Sequence, residues 1–539
     1  MSRKTQKGIT RRTFIGSAAV GTGISAATAG AFTGATGVTA QSETNTSSGT
    51  YSFEVPPPQI PASEIKDVVD AEVVVLGAGI AGMAATLSAA EVGAKTILIE
   101  KHTTWTARGR FNAAIGSRLQ KQLGIEIDKD EVLLELMKYA GNKPDQRLLR
   151  LWADNSGKIM DWIMDMAEIA GLKTDMFLWP PPPLFDNKTE YYKEYPVAHA
   201  VGGAMAGEGV LVKLLETNAL KKGAKILYST RAVQLIRQEK GRVSGVIAQS
   251  KDGGYVQFNA AKGVILCTGD YGHDPEMMEK YCPLAAEIAK TRNDYVPALN
   301  TGDGHKMALW AGAVMEIMPH APMDHGGGAP LGTDPFLQVN GDGERFQNED
   351  VPVQSLANSL FRQPGWKYWQ VFDSKWPEEV PRMGWGFRRV YEATPESIAS
   401  LERGVQNGSV LMADTIEELA QKMKVPIEPF KATVARYNEL ARQGKDLDFG
   451  KRADRLTTVE KPPFYAGFGT PAFLVSLGGL NVNPKLQALD ADRKVIPGLY
   501  MAGNTVGNRF GNDYPTMCAG LSHGICWTHG YIAGKNASA

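Results

Sequence analysis

Apolar positions along the chain fall into short dense runs separated by glycine-bearing turns. Val73 to Leu76 is a continuous apolar run, the pattern of a parallel strand buried on both faces. A glycine-rich turn follows at once, then an Ala-rich helical stretch, then "KTILIE", a second strand ending at Glu100. Further on, "GEGVLVKLLETNALKKGAKILYSTRAVQLIRQEKGRVSGVIAQ" predicts a helix, a strand and a hairpin. "AKGVILCTGDYG" predicts a buried strand that ends in Thr268-Gly269, and "NTGDGHKMALWAGA" an amphipathic helix with Asp303 as its N-cap. Strands alternating with helices in this way indicate an α/β architecture.

The ends of the chain do not share this pattern. Residues 1–40 carry Thr10-Arg11-Arg12-Thr13-Phe14-Ile15, then a weakly apolar Ala/Gly/Thr stretch ending in Val38-Thr39-Ala40. That is the layout of a twin-arginine signal peptide with a small-x-small cleavage site. It predicts export to the periplasm or cell surface, and a cofactor inserted before transport. The stretch lacks the run of about 20 apolar residues that a membrane span needs. Residues 41–66 are Ser- and Pro-rich and read as an extended linker.

Composition narrows the class. A chain of 539 residues exceeds one hydrophobic core, and 43% apolar with 22% charged residues suits a soluble enzyme. The formal net charge of +0 gives no reason to expect nucleic acid as a partner. Four scattered cysteines form no C-x-x-C pair and no haem attachment sequence, so neither a metal cluster nor a built-in haem is indicated.

The chemistry starts at Gly77-x-Gly79-x-x-Gly82, placed between strand and helix. Gly77 permits the tight turn, Gly79 lets a diphosphate approach the backbone, and Gly82 allows close helix packing, while the helix N-terminus stabilises the phosphates. Glu100 stands where a carboxylate accepts hydrogen bonds from the ribose of an adenine dinucleotide. These residues leave NAD and FAD open.

The order of these segments, with "IPGLYMAGNTVG" near the C-terminus, resembles the flavoprotein family of fumarate reductase flavoprotein subunits, urocanate reductases and 3-ketosteroid dehydrogenases. The resemblance runs from Asp67 to Gly534 and implies FAD. It implies a two-dinucleotide-fold, Rossmann-type FAD-binding domain over 67–318 and 474–539, interrupted by an α+β capping (substrate) domain over 319–473. By the same resemblance Ala81, Glu100, Lys101, Arg108, Gly109, Asn112, Ala113, Val233, Thr268, Gly269, Asp303, Gly503, Asn504 and Leu521 join the three glycines as cofactor-binding residues. No histidine attachment point stands near Arg108, so dissociable FAD is expected.

Within the cap segment, "GERFQNEDVPVQS" and "WKYWQVFDSKW" are similar to family strands, and Trp366, Tyr368, Trp369, Phe372, Trp376, Trp385 and Phe387 are expected to be mainly core with a few lining a pocket for a flat apolar substrate. The Pro-rich loop Phe177 to Pro196 could border that opening. Two departures from the dicarboxylate reductases matter. Val353 stands where those enzymes deliver a proton from arginine, and Val475 where a histidine binds the substrate carboxylate. An unpaired carboxylate in a closed site costs several kcal/mol, so fumarate is not the expected substrate.

The tail "GNTVGNRFGNDYPTMCAG" is similar to that of ketosteroid dehydrogenases through Gly503-Asn504-Thr505, Gly511-Asn512 and Tyr514-Pro515. The resemblance gives Tyr514 the role of donor to a substrate carbonyl. Hydride transfer to an enone builds charge on that oxygen, and a neutral donor aimed at it can contribute roughly 3 to 4 kcal/mol. The expected activity is reduction, or introduction, of a carbon–carbon double bond conjugated to a carbonyl in an apolar, aromatic or steroid-like substrate. A separate membrane-linked partner, a cytochrome or flavoprotein, is expected to carry electrons. Two alternatives remain: a reductase of a small unsaturated carboxylic acid with Arg509 and His320 as cations, and an electron-transfer subunit without its own substrate site. Tyr295, His320 and Arg345 are equal candidates for the proton donor.

Overall fold

The computed structural model describes residues 51–178, 190–203, 206–291, 299–325, 329–384, 389–390 and 392–539. The leader, Tyr295, Trp385, Phe387 and most of the Pro-rich loop lie outside them.

The chain enters the fold along β1 (Ile65–Leu76), turns into α1 (Ile80–Glu91) and returns as β2 (Thr96–Ile99). After several helices, α2 (Gly209–Lys221) leads to β3 (Lys225–Leu227), the hairpin β4 (Arg231–Arg237) and β5 (Val243–Gln249), and the long β6 (Tyr255–Leu266), with α3 at Asp303–Trp310. Next come β7 (Pro322–Asp324), β8 (Leu337–Val339), α4 (Val353–Leu360), β9 (Tyr368–Asp373), β10 (Val410–Ala413), β11 (Phe464–Gly469) and β12 (Phe473–Ser476). The chain closes with β13 (Gln487–Leu489), β14 (Val495–Met501) and α5 (Leu521–Ser538).

One sheet runs β13-β14-β6-β1-β2-β3, with the β4–β5 hairpin attached to β6. Its central pairs, β1 with β2, β1 with β6 and β6 with β14, are parallel. Val73 to Leu76 are 0–1% exposed, because helices cover both faces of these central strands. The C-terminal β14 thus completes a sheet begun some 400 residues earlier, as a doubly wound fold requires. A second, antiparallel sheet, β8-β9-β11-β10, holds Leu337, Val371, Phe464 and Ala466 in a separate core with Leu419, Phe430 and Tyr437. β7 and β12 pair antiparallel where the chain leaves and re-enters the first sheet's neighbourhood.

Close helix packing on that sheet rests on small residues. A Cβ on Gly530 of α5 would lie 2.2 Å from the carbonyl oxygen of Ala81 on α1. Only glycine lets the two helices approach so far.

Two expectations change. Residues 51–66 are not a free linker: Phe53 is 3% exposed among Tyr271, Met277, Tyr281 and Phe473, and the Trp310 indole N–H donates to its carbonyl. β1 also begins at Ile65 rather than near Val73, since its polar half pairs with β6 at a solvated edge of the sheet. Polar composition hid both, because a strand with one wet face needs few apolar residues.

Candidate active site

A cleft of about 460 Å³ opens where the carboxyl ends of β1, β2 and β6 meet α1, α3 and α5, the place where doubly wound sheets bind ligands. Its phosphate end is built by the turn between β1 and α1. Gly77 has φ +102°, and a Cβ there would meet the Cys267 carbonyl oxygen at 2.5 Å. Gly82 admits no Cβ either, since one would lie 1.9 Å from the Gly77 carbonyl oxygen. Around Gly79 the corresponding space is empty of protein to 4 Å, and that space belongs to the cleft. An open position flanked by two closed ones, at the N-terminus of a helix, fits a diphosphate seated on backbone.

Glu100, at the end of β2, accepts Ala78 N–H at 2.7 Å on Oε2 and His102 N–H at 2.9 Å on Oε1. Both oxygens keep a lone pair for ribose hydroxyls. Lys101 pairs with Asp303 at 2.9 Å, and Arg231 approaches the other Asp303 oxygen at 3.2 Å. Burial works to raise the Asp303 pKa, but Lys101 and then Arg231 overcome it and hold the carboxylate below its usual range. Asp303 is therefore not the N-cap; Gly302 takes that position, and Asp303 is the first helical residue with its side chain turned to Lys101.

The structure brings Gly77, Gly79, Ala81, Glu100, Lys101, Arg108, Thr268, Gly269, Asp303, Gly503 and Asn504 to the cleft wall. Gly82, Gly109, Asn112, Ala113 and Leu521 form the layer behind it: a Cβ on Gly109 would strike the His523 ring at 2.4 Å, Ala113 N–H donates to the Gly520 carbonyl, and Leu521 is fully buried. Val233 is displaced from the wall by a one-residue irregularity between Ala232 and Gln234, which leaves Ala232 on the cleft. Glu208, Trp105, His523 and Cys526 also line it, unforeseen from the sequence. For Glu208 the available signal was an acid directly before a helix and after a glycine.

Away from the phosphates the polar groups are committed one by one. Arg108 donates to the Leu474 carbonyl at 2.7 Å and to Asp270 at 2.9 Å. His320 is not a substrate contact. It is 1% exposed, its Nδ1 bonds the Tyr271 hydroxyl at 2.7 Å, its Nε2 meets the Glu316 carbonyl at 3.2 Å, and its ring stacks on Tyr281. Burial pushes its pKa down to about 4, so at neutral pH it brings no cation. Arg345 is likewise bound within the cap, to Glu349 at 2.6 Å and to both oxygens of Asp446 at 3.0 and 2.7 Å. It has no free donor geometry for proton delivery.

Arg509 is 1% exposed and donates Nε–H to the Val506 carbonyl at 2.7 Å, and Nη2–H to the Leu477 carbonyl and Asn504 Oδ1 at 3.2 Å. Burial lowers its pKa. Tyr514 is 4% exposed, packed edge-on against Phe510, and its hydroxyl oxygen accepts the Ser522 N–H at 3.3 Å. Burial raises its pKa, so it stays a neutral phenol whose own proton meets no acceptor among the described residues. Val475, Leu477 and Phe510 share its apolar surroundings, and Val353 is the buried first residue of α4. The next residue, Gln354, donates to Asp513 at 2.9 Å and accepts the Asp324 N–H at 2.9 Å. Both Asp324 carboxyl oxygens are buried without a partner among the described residues, and burial, with Asp513 adding, pushes that carboxyl up to about 7.

Among the described residues no helix is long and apolar enough to cross a membrane, and no cluster of three ligating side chains could hold a metal.

Known proteins share this arrangement. The vinyl phenol reductase of Lactiplantibacillus plantarum is 29% identical over 509 residues, spanning 87% of this chain and 96% of that protein. The fumarate reductase (cytochrome) of Shewanella frigidimarina is 28% identical over 491 residues, 88% of this chain and 78% of that one. The 3-ketosteroid-delta4-(5alpha)-dehydrogenase of Rhodococcus jostii RHA1, solved with 4-androstene-3,17-dione, has the same fold, with a TM-score of 0.68 at 23% identity over 90% of this chain and 100% of that one. The family described as FAD binding domain matches residues 72–520. The chain belongs to that family and is an FAD-dependent oxidoreductase acting on CH–CH groups.

Proposed function

We propose that this chain is an exported reductase of a carbon–carbon double bond conjugated to a carbonyl in an apolar, aromatic or steroid-like substrate. FAD, when bound, supplies hydride at flavin N5 to one carbon of that bond. Tyr514 holds the carbonyl oxygen: it is buried, neutral and hydrogen-bonded as an acceptor to Ser522 N–H, with its own proton left to donate. That unspent hydroxyl proton in an apolar setting carries the reading. The tyrosine stabilises charge as it develops on oxygen without bringing a charge of its own into the site.

The small-carboxylate alternative needs cations, and both of its candidates are occupied. Arg509 bonds two main-chain carbonyls and an asparagine oxygen, and His320 is bonded on both nitrogens. The name of the Lactiplantibacillus relative, a vinyl phenol reductase, agrees with a conjugated, largely apolar substrate. Thr10-Arg11-Arg12 supports export by the twin-arginine route. Electrons would then arrive from a separate membrane-linked cytochrome or flavoprotein.

The test is to reduce the holoprotein chemically and follow flavin reoxidation by enones, cinnamates and fumarate. An enone or cinnamate should reoxidise it fastest, and Tyr514→Phe should slow that step about 10²- to 10³-fold. Failure of every conjugated alkene, with reoxidation only by a protein partner, would favour the electron-transfer subunit. Unchanged turnover in Tyr514→Phe together with loss in Arg509→Met would overturn the site assignment.

A further inference from the structure

Glu208 stands directly before α2 and lines the cleft, yet its side chain is 4% exposed. Its main chain is fixed by Glu208 N–H donating to the Gly109 carbonyl at 2.9 Å. The surrounding network settles which oxygen can carry a proton. Trp527 Nε1–H, which can only donate, bonds Asn112 Oδ1 at 2.9 Å. The Asn112 amide nitrogen therefore faces the other way and donates to Glu208 Oε2 at 3.0 Å. Oε2 is an acceptor by necessity, and Oε1 has no partner among the described residues.

A buried carboxyl oxygen left without a donor is costly as an anion and ordinary as O–H. Burial pushes the Glu208 pKa up to about 8, against the opposing Asn112 bond. The ionisable neighbours are few. From α5, His523 Nδ1 lies 3.9 Å from Oε2 and is itself bonded to the Phe111 carbonyl at 2.8 Å, while the Cys526 thiol shares the cleft wall. Arg108 acts on His523 from the adjoining loop, and burial keeps both His523 and Cys526 in their neutral forms.

The dinucleotide turn gives the cleft a direction. Adenosine ribose belongs at Glu100 and the diphosphate at the α1 N-terminus, so the part of the wall formed by Gly109, Glu208 and His523 is left for the flavin half. We propose that Glu208 is a flavin-facing acid whose Oε1–H hydrogen-bonds the isoalloxazine edge and stays on Glu208 to offset the negative charge added by reduction. The acid is neither consumed nor a hydride source; two electrons come from the electron donor and protons from solvent. The assignment rests on FAD binding and not on the substrate reading, so a failure of one leaves the other readable.

If Glu208 retains its proton because the flavin is reduced, reduction takes up one additional proton where Glu208 is ionised beside oxidised flavin. The midpoint potential of the holoprotein, followed spectrally from neutral to alkaline pH, should then steepen above the Glu208 pKa. The added slope is tenfold in the equilibrium constant per pH unit, about 30 mV for a two-electron couple. Glu208→Gln keeps the shape and a donor and should remove this break while still binding FAD. Asn112→Asp places a second acid against Oε2 and should move the break to higher pH. A Glu208→Gln curve that superimposes on the wild type would overturn the proposal. So would a break that disappears with His523→Gln but survives in Glu208→Gln. Should Glu208→Gln fail to hold FAD, an Asn112→Asp curve with an unmoved break overturns it by itself.

Discussion

Gly79→Ala separates binding of the cofactor from folding of the protein. Gly79 has φ −79° and ψ −175°, an extended conformation open to alanine, and no protein atom lies within 4 Å of the added Cβ. The apoprotein should therefore fold at least as well as the wild type, with a gain of about 0.4–1 kcal/mol from the stiffer unfolded chain. The methyl group would project into the space assigned to the diphosphate. Forcing one methyl into a filled contact costs about 1–3 kcal/mol, which weakens binding roughly five- to hundredfold. Titrating apoprotein with FAD by flavin fluorescence gives the affinity, and thermal melting without FAD gives the stability. Gly82→Ala is the counterpart: its Cβ would lie 1.9 Å from the Gly77 carbonyl oxygen, so apoprotein stability and FAD affinity should fall together. A Gly79→Ala protein that binds FAD as tightly as the wild type would refute this placement of the diphosphate.

Three further outcomes follow from the buried charges. Asp324 has a folded pKa of about 7, above its unfolded value, so the neutral carboxyl favours the folded state at low pH and stability is lost as pH rises toward 7. Asp324→Asn should remove that loss, a relative gain on the order of 4 kcal/mol for a shift of about three units, seen in urea melts at about pH 5 and about pH 8; parallel pH profiles would refute it. Arg345→Met leaves Glu349 and Asp446 facing each other without their shared cation, both with fully buried side chains, and should cost about 3–5 kcal/mol in denaturant melts. His320→Asn should lower stability without changing KM for the accepted substrate, because both ring nitrogens bond within the protein; a raised KM with unchanged melting would return His320 to the substrate site.

The parallel core of the fold was legible because burial on both faces leaves an unbroken apolar signature, as at Val73 to Leu76 and Val264 to Leu266. The polar half of β1 and the docking of Phe53 were not, because a strand with a wet face and a single aromatic anchor in a Ser/Pro-rich segment leave almost no periodic trace. At the cleft, the glycines and Glu100 could be read since each role follows from backbone geometry at a fixed spacing. Asp303 was misread as a cap because an acid before a helix usually serves that function, whereas a lysine 202 positions earlier in the chain claims it here. Glu208 escaped for a related reason. Its importance depends on Asn112 and Trp527, one about a hundred residues before it and the other over three hundred after it, and no local pattern reports such a convergence.

The turn that carries both Arg509 and Tyr514 shows why residue type alone cannot assign a catalytic role. An arginine beside a flavin site suggests a carboxylate clamp, but three of its N–H···O bonds close onto Val506, Leu477 and Asn504, so the guanidinium serves mainly to fix the turn and orient the Asn504 amide. Tyrosine before proline suggests a packing element, yet its hydroxyl is positioned by the first turn of α5, one residue before His523 on the cleft wall. The helix N-terminus directs an N–H at the phenol oxygen, which polarises the O–H toward whatever oxygen lies opposite. The stronger charge in the turn is thus committed to structure and the weaker, neutral group is the one left able to act. That inversion selects for a substrate that develops charge during reaction over one that brings a carboxylate with it, since only the former is helped by a donor carrying no charge of its own.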